Sequence, residues 1–334
     1  MEKTENKIFL TGIKPTGTPH IGNWLGAIRP ALEAAASFEA RYFIADYHAL
    51  NSVKDPEELR RNTYAVAAAW MACGLNPEKT LFYRQSDIPQ VFELATLLSA
   101  FTPKGLMNRA HAYKAAVASN IEKGEDPDSG VNMGLYTYPV LMAADILLFD
   151  ADFVPVGKDQ VQHIEIAVDI AEAVNRNYGK EIFRLPQPFV GETTQTVTGL
   201  DGRKMSKSYN NTVPLFISEA QLKKTVMRIV TNSQSVDEPK DPDSCSVFAL
   251  YKLFASPEEQ DDLAQRYRAG GMGWGDAKKT LFEKMNEALT PIRNRYEELM
   301  KNPSVIDRAL NEGAQRARKI ASEKMEKVRR VVGL

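Results

Sequence analysis

Short apolar runs alternate with stretches of helical periodicity through the first two thirds of the chain. Buried strands are predicted at residues 8–10, 41–45, 80–83 and 153–154. Helices are predicted at residues 62–73, 88–100, 138–149 and 160–175. Pro139 is placed at the first position of the third helix, and Asp159 caps the fourth. Alternation of strand and helix is typical of a parallel sheet.

After Pro214 the pattern becomes purely helical. Helices are predicted at residues 219–231, 245–254, 258–268, 276–301 and 305–332. The chain is therefore divided into an α/β domain at residues 1–214, with an inserted helical and loop region at about 88–150, and an all-helical domain at residues 215–334. Within the insertion, residues 119–134 are rich in Gly, Asp, Asn and Ser and predict a long loop above the sheet.

Composition narrows the class of protein without identifying it. The 334 residues are 43% hydrophobic and 25% charged, which is typical of a globular chain. With a net charge of -1, binding of nucleic acid requires local basic patches. The two cysteines, Cys73 and Cys245, lie far apart and predict no zinc or iron–sulfur site. The polar N-terminus predicts no signal peptide or membrane span, so we expect a cytoplasmic protein.

The first candidate motif, at residues 15–23, directly follows the first predicted strand and opens a helix at about Trp24. Backbone N–H groups at such a junction bind phosphate. His20 and Asn23 can both donate hydrogen bonds to phosphate oxygens, and Gly22 lets an adenine ring approach the backbone. An ordinary turn with a surface histidine explains this motif equally well when it is taken alone.

The second candidate motif, at residues 202–208, is a polar loop after a β-like stretch at 196–198. It places the ammonium groups of Lys204 and Lys207 three residues apart, beside the hydroxyl groups of Ser206 and Ser208. Such a loop suits a triphosphate. Taken alone, it also fits a solvated basic loop.

Together, the sequence His20-Ile21-Gly22-Asn23 and the sequence Lys204-Met205-Ser206-Lys207-Ser208 resemble the HIGH and KMSKS signatures of class I aminoacyl-tRNA synthetases. Asn23 replaces the second histidine of HIGH, as in the tryptophan branch of that class. Residues 134–148 and 154–165 are similar to tryptophanyl-tRNA synthetases, and patches of similarity cover nearly the whole chain. The resemblance implies a Rossmann-like parallel-sheet catalytic domain with a C-terminal all-helical domain, residues 215–334, that binds the anticodon region of tRNA.

The implied reaction has two steps: ATP activates L-tryptophan to tryptophanyl-adenylate, and tryptophan is then transferred to the 3′ end of tRNA(Trp). Mg²⁺ is expected to bind through the ATP phosphates, with no dedicated protein metal site. The implied catalytic residues are His20, Asn23, Lys204 and Lys207. Contacts to ATP are expected from Lys14, Pro15, Thr16, Gly22, Asn23, Gly157, Lys158, Asp159, Val197, Lys204, Met205, Ser206, Lys207 and Ser208. Lys14 stands where many relatives carry Gln.

The amino-acid pocket is predicted from the helix that carries Asp145. Tyr138, Met142 and Asp145 fall on one helical face, and Asp145 stands among apolar residues, where a carboxylate needs a donor. That donor can be the indole N–H of tryptophan, the phenol of tyrosine, or a group of the protein. Phe9 on the first strand suits stacking on an indole, whereas tyrosine ligases usually carry Tyr there. By resemblance, His48 borders the indole, and Tyr138 with Gln160 holds the ammonium group.

The predicted partners are tRNA(Trp), L-tryptophan and, by resemblance, a second copy of the chain in a homodimer. The basic residues predicted to meet RNA crowd the last helix: Arg316, Arg318, Lys319, Lys324, Lys327, Arg329 and Arg330. Two other functions remain open at this stage. A small-molecule nucleotidylyltransferase would charge no tRNA, and a non-catalytic relative would not exchange pyrophosphate into ATP.

Overall fold

The computed structural model describes residues 7–157, 160–190 and 197–334. Its centre is a five-stranded sheet in the order β3-β2-β1-β4-β5, with every pair parallel. The strands are β1 (Ile8–Ile13), β2 (Glu39–Ile44), β3 (Leu81–Arg84), β4 (Phe153–Pro155) and β5 (Gln187–Phe189). The predicted parallel sheet is confirmed. β5 was not predicted, and the β-like stretch at 196–198 contributes a bridge between Thr198 and Lys204, with Thr196 outside the described residues.

The strand order creates a crevice at one edge of the sheet. From β1 the chain proceeds through β2 and β3 on one side, and β4 then pairs with β1 on the other. The loops after β1 and β4 therefore diverge at the carboxyl ends of these two strands. Ligands of open α/β sheets bind at such a switch point.

Helices cover both faces of the sheet. Those of the first two thirds are α1 (Ile21–Asn23), α2 (Arg29–Ala34), α3 (Asp46–Ala49), α4 (Pro56–Ala72), α5 (Gln90–Ser99), α6 (Lys104–Asn108), α7 (His111–Glu122), α8 (Met133–Leu148) and α9 (Val161–Tyr178). A π-helix, Trp24–Ile28, joins α1 to α2, so the helix after the first motif begins at Ile21 rather than near Trp24.

Two predictions for the insertion are wrong. Helix α8 begins at Met133 rather than near Pro139, because the Asn132 side chain caps it by accepting from the Leu135 N–H at 2.9 Å. Pro139 lies inside the helix, where it lacks one N–H donor. The predicted loop at residues 119–134 is also shorter, because α7 continues to Glu122. The insertion is therefore more helical than its Gly-rich composition indicates.

Strand alternation divides the core into two faces. Leu10, Phe43 and Tyr83 belong to a buried cluster with α5, α8 and α9. Their neighbours Phe9 and Phe82 belong to a second cluster, with α4, on the opposite face. Because successive side chains of a strand point to opposite faces, each residue of β1 can serve only one of these layers.

The C-terminal helices are α10 (Glu219–Met227), α11 (Ser246–Tyr251), α12 (Pro257–Ala269), α13 (Trp274–Lys301) and α14 (Pro303–Val332). The first four share a third cluster, which also contains Ile21, Met205 and Val213. Helix α14 instead lies along the edge strand β3, where a Cβ at Gly313 would come within 1.7 Å of the Phe82 carbonyl oxygen. The predicted boundary at residue 214 therefore does not separate two independent cores.

Docking of α14 changes the interpretation of its positive charge. Four of the seven basic residues predicted to meet RNA bind groups outside α14: Arg316, Arg318, Lys324 and Arg329. Arg329 pairs with Glu93 at 2.6 Å, and Lys324 donates to the Ile182 carbonyl at 2.7 Å. Arg330 pairs with Glu326 on the same helix, and Lys319 and Lys327 are exposed. These four side chains therefore help to attach the helix to loops and to α5 of the α/β domain.

Across the described residues, no helix is both long enough and apolar enough to cross a membrane.

Candidate active site

Polar side chains follow the carboxyl ends of four adjacent strands. Lys14 follows β1, His48 lies in α3 after β2, and Gln85 follows β3. Gln160 is the residue before α9, beyond β4. Parallel strands end at a common edge, so these residues converge around the switch point between β1 and β4.

A cavity of about 590 Å³ opens at this edge of the sheet. It is lined by five of the residues predicted to bind the amino acid, His48, Tyr138, Met142, Asp145 and Gln160. Lys14 and Leu10 also line it. Its size is within the usual range for small-molecule sites, and it combines apolar walls with a few polar groups.

The prediction that Phe9 stacks in this pocket is wrong, because Phe9 points to the other face of the sheet. Phe9 is 1% exposed and stacks on Phe38 with ring centroids 5.5 Å apart. Leu10 faces the cavity in its place. Adjacent strand residues point to opposite faces of the sheet, so only one of Phe9 and Leu10 can face the cavity. A run of three apolar residues does not show which one it is.

Asp145 is the buried acid of the cavity, at 2% exposure. Its Oδ2 lies 3.0 Å from His48 Nε2, and Gln85 Nε2 donates to Oδ1 and Oδ2 at 2.9 and 2.8 Å. Burial raises the pKa of Asp145, and the hydrogen bonds from His48 and Gln85 oppose that rise. The donors required by this carboxylate are therefore supplied partly by the protein, an alternative that the sequence left open.

Gln85 was not among the predicted site residues. It is fully buried at the start of a 3-10 turn, Gln85–Asp87, directly after β3. One signal could have identified it, namely a polar side chain immediately after a buried strand, at the edge where ligands bind. His163 was also missed; it lines the cavity and hydrogen-bonds to the Tyr138 hydroxyl.

The first motif forms the N-terminal cap of the helix that follows it. The Asn23 N–H donates to His20 Nδ1 at 3.3 Å, and the His20 N–H donates to Asn23 Oδ1 at 3.0 Å. This leaves His20 Nε2 and the Asn23 amide nitrogen as the ends that can donate outward. Burial, with the nearby Lys207 charge, lowers the pKa of His20 to about 4, so the imidazole is neutral at pH 7.

The two motifs lie against each other. Lys207 Nζ donates to the Thr16 carbonyl at 3.1 Å, although the two residues are far apart in sequence. Behind them, the Ile21 N–H donates to the Val213 carbonyl at 2.9 Å, and the Leu215 N–H to the Pro19 carbonyl at 3.1 Å. The structure therefore brings the two phosphate-binding candidates together on one side of the sheet.

The second motif is held in shape by a buried amide. Asn211, at 2% exposure, donates to Asp201 at 2.7 Å and to the Lys204 carbonyl at 3.1 Å, and accepts from the Ser206 N–H at 2.8 Å. The hydrogen bond from Asn211, aided by Arg203, lowers the pKa of Asp201 to about 2. The loop backbone is thus fixed while the Lys204 side chain is exposed.

The remaining residues predicted to bind ATP lie in different environments. Val197 and Met205 are buried in the third cluster, so their side chains anchor the loop. Thr16 and Ser208 are exposed, and Pro15 is buried. Gly157 lines a neighbouring apolar cavity of about 170 Å³ beside β1. The predictions for Lys158 and Asp159 fall outside the described residues, and Gln160 stands at the N-terminal cap of α9.

Among the described residues, no three His, Cys, Asp or Glu side chains form a group that could hold a metal ion. Two cationic side chains lie nearby, with Lys14 lining the larger cavity and Lys207 at the contact between the two motifs. The arrangement therefore offers a pocket with a buried acid beside a cationic loop.

Comparison with known proteins identifies close relatives. Residues 2–290 match the family model described as tRNA synthetases class I (W and Y). The tryptophan–tRNA ligase of Neisseria meningitidis is 52% identical over 331 residues, which cover 98% of both chains. That of Bordetella parapertussis is 53% identical over 98% of this chain and 73% of its own. A crystal structure of Campylobacter jejuni tryptophanyl-tRNA synthetase complexed with ADP and tryptophan superimposes with a TM-score of 0.90 at 47% identity, covering 98% of this chain and 100% of that one.

Proposed function

This chain belongs to the tryptophan–tRNA ligase family of class I tRNA synthetases, and we propose that its two converging motifs bind ATP while the Asp145 cavity binds tryptophan. The enzyme activates tryptophan with ATP and transfers it to tRNA(Trp). The observation that carries the site assignment is the contact between Lys207 and Thr16, next to a cavity with a buried acid. At this point, two loops that are far apart in sequence meet beside the cavity that contains Asp145.

In the first step, a carboxylate oxygen of tryptophan attacks the α-phosphorus of ATP. The bond from that phosphorus to the bridging oxygen of the β-phosphate breaks, and pyrophosphate leaves with the electron pair. ATP enters as its magnesium complex, with the metal on the phosphate oxygens. The substrate carboxylate is already the nucleophile, so the protein needs to supply only position and charge.

The second motif supplies the positive charge, and the first motif supplies neutral hydrogen-bond donors. Lys204 and Lys207 stabilise the negative charge that develops on the departing pyrophosphate. His20, which is neutral at pH 7, and Asn23 donate hydrogen bonds to phosphate oxygens. A neutral imidazole whose Nδ1 accepts from the Asn23 N–H carries its proton on Nε2, which gives it the donor that this role requires.

At the other end of the substrate, Asp145 accepts from the indole N–H, with Met142 and Leu10 against the ring. Tyr138 and Gln160, which line the same cavity, bind the ammonium group, and Lys14 meets the substrate carboxylate or an ATP phosphate. Gly157, Lys158 and Asp159 are assigned to ATP, as the sequence predicts.

In the second step, a ribose hydroxyl at the 3′ end of tRNA attacks the adenylate carbonyl, and AMP departs. We propose that the helices α10 to α13 bind the anticodon arm, and that the protein works as a homodimer in the cytoplasm. These helices share one hydrophobic cluster with Ile21 and Met205 of the two motifs, which supports the first assignment because it connects an RNA-binding surface to the active site. The exposed Lys224 and Arg228, at the end of α10, offer cationic contacts for the RNA backbone.

The function is tested by ATP–pyrophosphate exchange with tryptophan and tyrosine in parallel. We expect tryptophan to support exchange with a kcat/KM at least roughly 10² above that of tyrosine, because the cavity must place an N–H rather than a terminal hydroxyl at Asp145. Charging of a tRNA(Trp) transcript should follow. Preference for tyrosine, or exchange without any amino acid, would contradict the assignment.

A further inference from the structure

Gln85 connects the buried acid of the cavity to the backbone of the neighbouring loop. The side chain has 0% exposure. Its amide nitrogen donates to both oxygens of Asp145, and its amide oxygen accepts from the Tyr47 N–H at 3.2 Å. Both ends of the amide are therefore fixed, and the orientation of its oxygen and nitrogen is set by the N–H of Tyr47.

The chemistry of the two donors to Asp145 differs. The His48 ring nitrogen donates in only one of its two neutral tautomers, whereas the amide of Gln85 donates at every pH in the working range. Within the described residues, no lysine or arginine pairs with Asp145. Gln85 is consequently the pH-independent donor to a carboxylate that would otherwise be costly to keep buried and charged.

The Asp145 carboxylate can accept a further hydrogen bond from a ligand. Oδ2 lies near both His48 and Gln85, whereas Oδ1 receives only the bond from Gln85 among the contacts of the described residues. A carboxylate oxygen can accept more than one hydrogen bond. Met142, Leu10 and Phe43 surround the same cavity with apolar atoms, where a further N–H donor gains much from meeting this oxygen.

We propose that Gln85 is a specificity-determining positioning residue, which holds the Asp145 carboxylate as an acceptor directed at a ring N–H of the amino acid. The inference rests on the proposed function, because it requires Asp145 to face the indole. It predicts that Gln85 affects recognition of the N–H group more than recognition of the rest of the substrate.

The test compares Gln85→Met, which has a similar volume and no donor, with Gln90→Met at the half-buried start of α5. Dissociation constants are measured for tryptophan and for 3-benzothienylalanine, in which sulfur replaces the ring N–H. The parent should prefer tryptophan, and Gln85→Met should reduce that preference by about tenfold, the size of one charge-assisted hydrogen bond. Gln90→Met should leave the preference unchanged.

A second readout is the pH dependence of kcat/KM for tryptophan. A hydrogen bond donated to the ionised acid opposes the rise of the Asp145 pKa caused by burial. Its removal should raise that pKa further, so the acid limb of the profile should move to higher pH in Gln85→Met. The KM for ATP should stay within about twofold, because this change concerns only amino-acid binding.

Equal weakening of tryptophan and the sulfur analogue, with an unmoved acid limb, would show that Gln85 is only part of the core. Should Gln85→Met lose the parent's melting transition, Gln85→Asn, which is one methylene shorter, enters the same comparison with the same expected outcomes.

Asp145→Ala distinguishes a failure of the proposed function from a failure of the role of Gln85. If it retains the preference for tryptophan, the proposed function fails; if it loses the preference while Gln85→Met keeps it, only the role of Gln85 fails.

Discussion

Replacing Lys204 by alanine should lower the rate of tryptophan-dependent pyrophosphate exchange by about 10²- to 10³-fold, the usual effect of losing one preorganised group that stabilises developing charge. The Lys204 side chain is exposed, and its loop is held through the backbone carbonyl by Asn211. The substitution should therefore leave the fold intact while removing a cation from the departing pyrophosphate. The effect should appear in kcat, with the KM for tryptophan little changed.

Lys301→Ala, at the exposed end of α13, is the matched control, because it removes the same charge far along the chain from either motif. It should exchange pyrophosphate at the parent rate. A Lys204→Ala variant with parental exchange would refute the assignment of the second motif to ATP.

Replacing Asp145 by alanine should lower kcat/KM for tryptophan by roughly 10- to 150-fold, or about 1.5–3 kcal/mol, the range for a hydrogen bond to a charged group. The indole N–H would lose its acceptor, and Gln85 and His48 would lose theirs. The KM for ATP should remain near its parental value. Steady-state exchange at varied tryptophan concentration measures the change.

Asp169→Ala removes an acid from the exposed side of α9 and serves as the control, with no expected effect on tryptophan. Equal tryptophan affinity in Asp145→Ala and the parent would show that the buried acid serves the protein alone. The melting temperature of each variant, measured in parallel, separates loss of recognition from loss of the fold.

The layout of the sheet followed from local pattern, because the alternation of apolar runs with helical periodicity predicts a parallel sheet. The meeting of the two motifs was implied by the resemblance to class I synthetases. Local pattern did not show which side chains of β1 face the cavity. Phe9 and Leu10 are both apolar and adjacent, and only pairing with β2 and β4 decides which of them faces the cavity.

The other differences from the predictions come from contacts that form only in the folded chain. Proline usually starts a helix, but the Asn132 cap allows α8 to begin six residues earlier and to include Pro139. The sequence also does not show that Arg329 and Lys324 of α14 bind Glu93 and the Ile182 carbonyl, because these partners are far away in sequence. Gln85 escaped notice for the same reason, since a single glutamine carries no signal until the fold places it beside Asp145.

The central claim is that one site holds the indole at Asp145 and the phosphates between the two motifs. A crystal structure with a non-hydrolysable tryptophanyl-adenylate analogue tests this most directly. We predict the indole nitrogen within about 3 Å of an Asp145 oxygen, and His20 and Lys207 around the group that replaces the phosphate. An analogue bound with its ring away from Asp145, or with the motif around Lys207 separated from Thr16, would contradict it.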